Sequence, residues 1–365
     1  MIVMVAAVLF AGHWFLYYSW DYFFQIENCA VSKTLIIILS ILSVSFLVTL
    51  LLVHWRENFI TSWAYMLSAS WTGIVWYLTL ATVLIWFIDW AAFFTTIDIH
   101  IAIIAFIMYG IALAYSGYGI WNARFPRVNR ISIEVKNLPQ AWYGRKVVLL
   151  TDIHLGAIHH IRFARRVVGM IQKLSPDMVL VGGDIYDGAG KELGLLAMPF
   201  KDLKPQLGMY GVIGNHETYI NIGQALKAIK ETGIQLLRNE QIDIEGVQIV
   251  GVDYHMPNEK RNILKALDLI DNNKPTIAIY HEPVVKSIDA MRAAGADVVL
   301  AGHTHQGQMW PFDFITRAIF KNYNCGLYVD GDFSQYTSSG VGTWGPPLRT
   351  GNKPEIVEII FEQKT

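Results

Sequence analysis

Lys146-Val-Val-Leu-Leu-Thr-Asp-Ile-His154 decides how this chain folds. A short apolar run rich in β-branched residues reads as a strand buried on both faces. Asp152 and His154, two metal-ligand types, stand where that strand runs into a loop. The arrangement recurs down the chain. Met178–Val181 precedes Gly182-Gly-Asp184-Ile-Tyr-Asp187, and Met209–Ile213 precedes Gly214-Asn-His-Glu217. Thr276–Tyr280 precedes His281, and Asp297–Leu300 comes just before Gly302-His-Thr-His305. Val247–Val252 reads as a further strand, and the more alternating runs 131–136 and 355–361 as outer strands. Amphipathic stretches at 162–174, 223–232, 260–269 and 283–293 read as helices between them. Strand–helix alternation predicts an α/β layer arrangement around a buried sheet. In such folds ligands gather at the carboxyl ends of the strands, so five segments converge on one rim.

The donors are Asp, His and Asn, with no thiolate. That set suits two divalent ions of the Mn, Fe, Zn or Mg class rather than copper or iron–sulfur. Gly182, Gly183, Gly214 and Gly302 permit the tight turns that aim such side chains inward. Cys29 and Cys325 have no ligand spacing, so neither a disulfide framework nor a thiolate zinc site is expected. Cys325 reads as an ordinary buried or loop residue.

The order D-x-H, GDxxD, GNH[D/E], H, GHxH resembles the calcineurin-like metallophosphoesterase superfamily over roughly residues 140–365. Ser338-Ser-Gly-Val-Gly-Thr-Trp-Gly-Pro-Pro-Leu-Arg349 and Pro354-Glu-Ile are similar to its membrane-associated YkuE-type and YaeI-type branch. The resemblance implies a β-sandwich flanked by helices. It implies one metal held by Asp152, His154, Asp184 and His305. A second would be held by Asp184, Asn215, His281 and His303, with Asp184 bridging. His216 would be the catalytic histidine near the leaving-group oxygen, with Asp187 hydrogen-bonding and orienting it. Asp187 also reads as a turn cap, and Glu217 as a supporting or helix-start acid. Arg349 reads equally as a phosphate contact or a structural ion-pair partner. Trp310 and Trp344 read as a pocket wall or as packing. His159, His160 and His255 fit no block and are expected at the surface or the substrate rim.

The N-terminal third is different. The chain has 365 residues, 53% hydrophobic and 16% charged, unlike a soluble protein. Residues 1–121 hold only seven Asp, Glu, Lys or Arg and nine of the twelve Trp. Apolar runs at about 2–20, 34–54, 62–88 and 100–121 meet or approach the ~20 residues that cross a bilayer. No Lys or Arg precedes Lys33, so the first run lacks a signal peptide's basic start and reads as a retained helix. Four spans put Arg56, Arg124, Arg127 and Arg130 on one side, which predicts a multi-pass protein with its large domain in the cytoplasm. Arg124, Arg127 and Arg130 also suit anionic lipid headgroups. Residues 122–130 read as a basic linker and 131–365 as the catalytic domain. His13, His54 and His100 read as interfacial packing, and Gly110, Ala114, Gly117 and Gly119 as sites of close helix contact or generic small residues. The spans lack a relay of acids, against a pump or transporter.

The expected function is a membrane-anchored, binuclear, metal-dependent phosphohydrolase. It would cleave a phosphoester or pyrophosphate bond in a phosphorylated small molecule or a lipid-linked substrate. The alternatives are a phosphodiesterase on soluble nucleotides and a non-catalytic metal-binding membrane sensor or scaffold. A net charge of −1 gives no case for nucleic acid.

Overall fold

The computed structural model describes residues 2–95, 98–187, 193–254 and 265–364. They divide into two compact units, Met1–Trp121 with Gly345–Thr350, and Asn122–Trp344 with Gly351–Thr365.

The first unit is helical: α1 (Ile2–Phe24), α2 (Cys29–Trp55), α3 (Phe59–Thr95) and α4 (Ile101–Ala123). All four are long and apolar enough to cross a membrane. Each outruns the apolar stretch that predicted it, because the flanking Trp, Tyr and polar residues continue the helical turn. Two polar side chains of α1 find partners on α3. Trp71 Nε1 donates to His13 Nε2 at 2.9 Å, and Trp86 Nε1 to Ser19 Oγ at 2.8 Å. Of the three glycines in α4, only Gly119 lies against packed neighbours: a Cβ there would sit 2.8 Å from Leu348 and 2.7 Å from Thr350, whereas Gly110 and Gly117 face open space. Gly119 thus admits the Gly345–Thr350 segment, whose Arg349 amide donates to the Gly119 carbonyl at 3.0 Å. Tyr77 and Thr350 join their hydroxyls. Arg349 is fully buried.

The second unit is two six-stranded sheets. One runs β1 (Arg127–Val135), β12 (Glu355–Gln363), β2 (Lys146–Leu150), β3 (Met178–Gly182), β4 (Met209–Val212), β5 (Gln235–Leu236). The other runs β10 (Gly326–Asp330), β11 (Phe333–Thr337), β9 (Val298–Ala301), β8 (Thr276–Tyr280), β7 (Val247–Val252), β6 (Glu240–Ile244). Their facing residues, among them Leu149, Leu180, Ile249, Ile279 and Leu300, form one buried layer. Helices α5 (Ile161–Leu174), α6 (Leu193–Ala197), α7 (Asn215–Tyr219) and α8 (Ile222–Lys230) lie on the chain between β2 and β5. Helices α9 (Val285–Ala293) and α10 (Phe312–Phe320) follow β8 and β9. The outer face of the first sheet is covered by α5, through Ala164, Val167, Val168 and Ile171. Half of the helix expected at 260–269, residues 260–264, falls outside the described residues.

Two expectations need correction. The stretch read as a linker, 122–130, already contains the start of β1 at Arg127. The run 355–361 is no outer strand: β12 lies between β1 and β2. Its charges are buried and satisfied, Glu358 by Arg130 at 2.6 Å and Glu355 by Asn129 at 2.9 Å and Tyr336 at 3.1 Å.

Candidate metal centre

Every predicted donor segment begins within three residues of a strand's carboxyl end. Asp152 follows β2, Asp184 follows β3, Asn215 follows β4, His281 follows β8 and His303 follows β9. The β2 and β3 exits stay bonded past the sheet: the Asp152 amide donates to the Gly183 carbonyl at 3.0 Å and the Ile153 amide to the Asp184 carbonyl at 2.8 Å. Five donors then turn sharply. Asp152, His154, Asp184, His303 and His305 all have left-handed φ, between 46° and 70°. Non-glycine residues in that region store strain that persists where the surroundings fix it, and such residues cluster at functional sites.

The turns work only because glycine lets backbones approach. A Cβ on Gly214 would lie 2.1 Å from Asp184 Oδ1, and one on Gly302 would lie 2.4 Å from Asp152 Oδ2.

The side chains meet in three donor groups: Asp152, His154 and His305; His154, Asp184 and His216; and Asp184, His281 and His303. In the first, His154 Nε2 and His305 Nε2 are 3.0 Å apart, and His305 Nε2 is 3.5 Å from Asp152 Oδ1. In the last, His281 Nε2 is 3.2 Å from Asp184 Oδ2, 3.1 Å from Asn215 Oδ1 and 3.3 Å from His303 Nδ1. His303 Nδ1 lies 3.0 Å from Asn215 Oδ1. Asp184 Oδ2 is also 4.0 Å from His154 Nε2, so this carboxylate stands between the two groups. All seven residues expected as metal ligands are therefore gathered, and His216 stands beside them.

The donor set fits divalent cations. Ligand bonds of about 2.1 Å give donor–donor edges of roughly 3.0–3.4 Å in octahedral or tetrahedral shells, close to the 3.0–3.5 Å separations found here. Four acids, Asp152, Asp184, Asp187 and Glu217, also share this largely buried place. Buried carboxylates need compensating positive charge. Burial pushes Asp152 up to about 6, with neighbouring Asp184 adding to the rise. Burial also works to raise Asp184, but adjacent His281 overcomes it and holds that carboxyl at about 2. Burial lowers His303 to about 3, with His281 adding to the effect, which leaves a neutral imidazole free to ligate.

Supporting residues aim these donors. His281 Nδ1 lies 2.8 Å from the Gly182 carbonyl, which fixes the proton there and turns Nε2 toward the centre. Tyr219 accepts from Asn215 Nδ2 at 3.2 Å, so Asn215 Oδ1 faces His281 and His303. Glu282 Oε1 is 3.7 Å from His303 Nε2 on the far side of that ring. The sequence reading did not single out Tyr219 or Glu282. Each had a positional signal: four residues after Asn215 on one helix face, and directly after His281.

The expected Asp187–His216 hydrogen bond is not formed. Asp187 Oδ1 lies 3.9 Å from His216 Nδ1 and 3.6 Å from His154 Nδ1, between the two rings. His216 Nδ1 is buried with no hydrogen-bond partner among the described residues. The His216 ring meets His154 edge-on, with centroids 4.5 Å apart. Burial raises Asp187 to about 7, against the pull of His216.

His159 is not at the surface: it is buried, with Nε2 2.8 Å from Thr343 Oγ1 and accepting the Thr343 amide at 3.0 Å. His160 is exposed at the start of α5. His255 lies outside the described residues. Trp310 and Trp344 are 47% and 53% exposed, so neither is a packed core residue.

The family profile for calcineurin-like phosphoesterases matches residues 145–307. An uncharacterized metallophosphoesterase of Helicobacter pylori is 32% identical over 265 residues, covering 70% of each chain. An uncharacterized metallophosphoesterase of Aquifex aeolicus is 31% identical, covering 70% of this chain and 98% of its own. A transmembrane protein with metallophosphoesterase domain from Danio rerio is 30% identical over 67% of this chain and 60% of its own length.

Proposed function

This chain belongs to the calcineurin-like metallophosphoesterases, and from that we propose that it is a membrane-anchored phosphohydrolase working with two divalent ions. The observation that carries the reading is the pair of buried donor groups on either side of Asp184. Asp152, His154 and His305 would hold one ion, and Asn215, His281 and His303 the other, with Asp184 shared. Bound there, such ions supply Lewis-acid polarisation of a phosphoryl group and acidify water.

The residues themselves orient and move protons. His281 keeps its proton on Nδ1, against the Gly182 carbonyl, so its other nitrogen stays a donor. Tyr219 and Asn215 hold one amide oxygen toward the centre. His216 projects from the first turn of α7, its side chain 16% exposed at the edge of the donor cluster. It is placed to give a proton or hydrogen bond to the leaving oxygen of a substrate arriving from solvent. Asp187 lies close enough to stabilise its cationic form electrostatically without a hydrogen bond.

Four apolar helices and a transmembrane relative support membrane association. The substrate in this reading is a lipid-linked phosphoester or pyrophosphate, with the catalytic unit on the cytoplasmic side. The test is hydrolysis of bis-p-nitrophenyl phosphate by the full-length protein in detergent with added Mn, followed by a screen of lipid-linked pyrophosphates against soluble diesters. Turnover lost in Asp184→Asn and His216→Ala supports the site. Turnover that survives both, or is absent with every metal and substrate, overturns it.

A further inference from the structure

Trp310-Pro-Phe-Asp-Phe-Ile-Thr-Arg-Ala-Ile-Phe-Lys321 begins three residues past the end of the family match and forms helix α10. Its exposure is inverted relative to a solvent-facing helix. Phe314, Ile315 and Ile319 are 62%, 55% and 58% exposed, while Phe320 is buried. At 100° per residue, Phe314, Ala318, Ile315 and Ile319 cover an arc of roughly 140°. Trp310 stands exposed at the head of that stripe. Arg317, 60% exposed, borders it, and exposed Lys321 follows the last turn.

We propose that this stripe lies in the lipid–water interface and sets the metal centre at the bilayer surface. The occupant is a bilayer for three reasons. The same chain carries four helices fit to cross one, so lipid is always within the domain's reach. An apolar face with Trp at its head and Lys and Arg at its border matches the interfacial belt and its anionic headgroups. One two-turn stripe is also far smaller than the ~800 Å² per partner of a stable protein interface, which disfavours a second copy.

The helix is tied to the donor turn at both ends. A Cβ on Gly307, two residues past His305, would lie 2.3 Å from the Asp313 amide nitrogen, so the first turn of α10 rests on the donor turn. Thr304, between the two histidines, donates its hydroxyl to the Asn324 carbonyl at 2.7 Å, just beyond the helix's other end. The depth of α10 in the interface thereby fixes the height of His303 and His305. Resting on the phosphohydrolase reading above, the substrate class is a phosphate-bearing amphiphile presented at a membrane surface rather than a free soluble ester.

The experiment uses full-length protein in nanodiscs of phosphatidylcholine and phosphatidylglycerol, with Cys29→Ser and Cys325→Ser. A nitroxide is placed on Ile315→Cys, and on Asn273→Cys at the amino end of β8 as a solvent control. The nitroxide at 315 is expected to be open to oxygen and shielded from a water-soluble nickel complex, with the label at 273 the reverse. Adding Phe314→Ser and Ile319→Ser should return the label at 315 to solvent while leaving bis-p-nitrophenyl phosphate turnover within twofold. A label at 315 that reads like the one at 273 overturns the proposal. So does one shielded from both reagents, which would mean a protein partner or a second copy. Neither readout of depth needs catalysis, so failure of the docking and failure of the hydrolase are told apart.

Discussion

The buried carboxylate of Glu217 accepts the backbone amide of Asp184 at 3.0 Å. The same side chain takes the amides of Tyr186 at 3.0 Å and Gly214 at 2.8 Å. One acid thus binds the β3 exit to the β4 exit and fixes the residue that stands between the donor groups. Burial raises its carboxyl, and Asp184 raises it further, while the Tyr186 and Gly214 amides oppose the rise.

Glu217→Ala strands three amides, each costing about 1–3 kcal/mol if left unpaired in the interior. The variant should unfold several degrees lower and bind Mn roughly 10–100-fold more weakly, as expected when support behind a metal ligand is lost. Glu217→Gln keeps one carbonyl oxygen and should fall between. Thermal unfolding with and without Mn checks both. An unchanged Mn affinity in Glu217→Ala would remove the organising role.

Gly214→Ala adds a methyl 2.1 Å from Asp184 Oδ1. No flexible side-chain tip is available to yield, since that oxygen also accepts the His216 amide at 2.9 Å. Metal affinity should drop by about 10-fold or more, measured by isothermal titration with Mn. Wild-type affinity would show that Asp184 has another position to occupy.

His216→Ala removes an imidazole whose Nδ1 makes no hydrogen bond among the described residues. Bound metal should stay at the wild-type level while kcat falls about 10²–10⁴-fold, the range for a lost general acid. The loss should shrink for esters with good leaving groups, which need no proton. A parallel loss of metal would make His216 a ligand instead.

Asp187 sets a pH dependence in the metal-free protein. Its folded carboxyl titrates at about 7 against an ordinary 3.8, so between those values the folded state holds a proton that the unfolded state has released. Stability must then fall as pH rises from about 4 to 7. Asp152, raised to about 6, acts in the same direction. Asp187→Asn should flatten part of that decline, read as Tm against pH in chelator. An unchanged slope would show that Asp187 is ionised throughout.

Much of the centre was legible because strand and donor are adjacent in sequence. Val147–Leu150 and Asp152 form one continuous signal, as do Ile277–Tyr280 and His281. What was hidden depends on partners far away in the chain. Glu355 and Glu358 made β12 look like an outer strand, and only Arg130, Asn129 and Tyr336 explain their burial. His159 looked superficial because Thr343, its partner, lies 184 residues away. Asp187 stands 3.9 Å from His216 rather than in a hydrogen bond, a gap set by the positions of two rings, not by a motif. The Gly345–Thr350 segment packs on Gly119 and Tyr77, a pairing no local pattern encodes.

The most direct measurement is anomalous scattering at the manganese edge from crystals of the Mn-loaded protein. Two peaks are expected per chain, one among Asp152, His154 and His305 and one among Asn215, His281 and His303, both touching Asp184. No peak at this rim, or a single ion that leaves either group of side chains without metal, would contradict the binuclear centre.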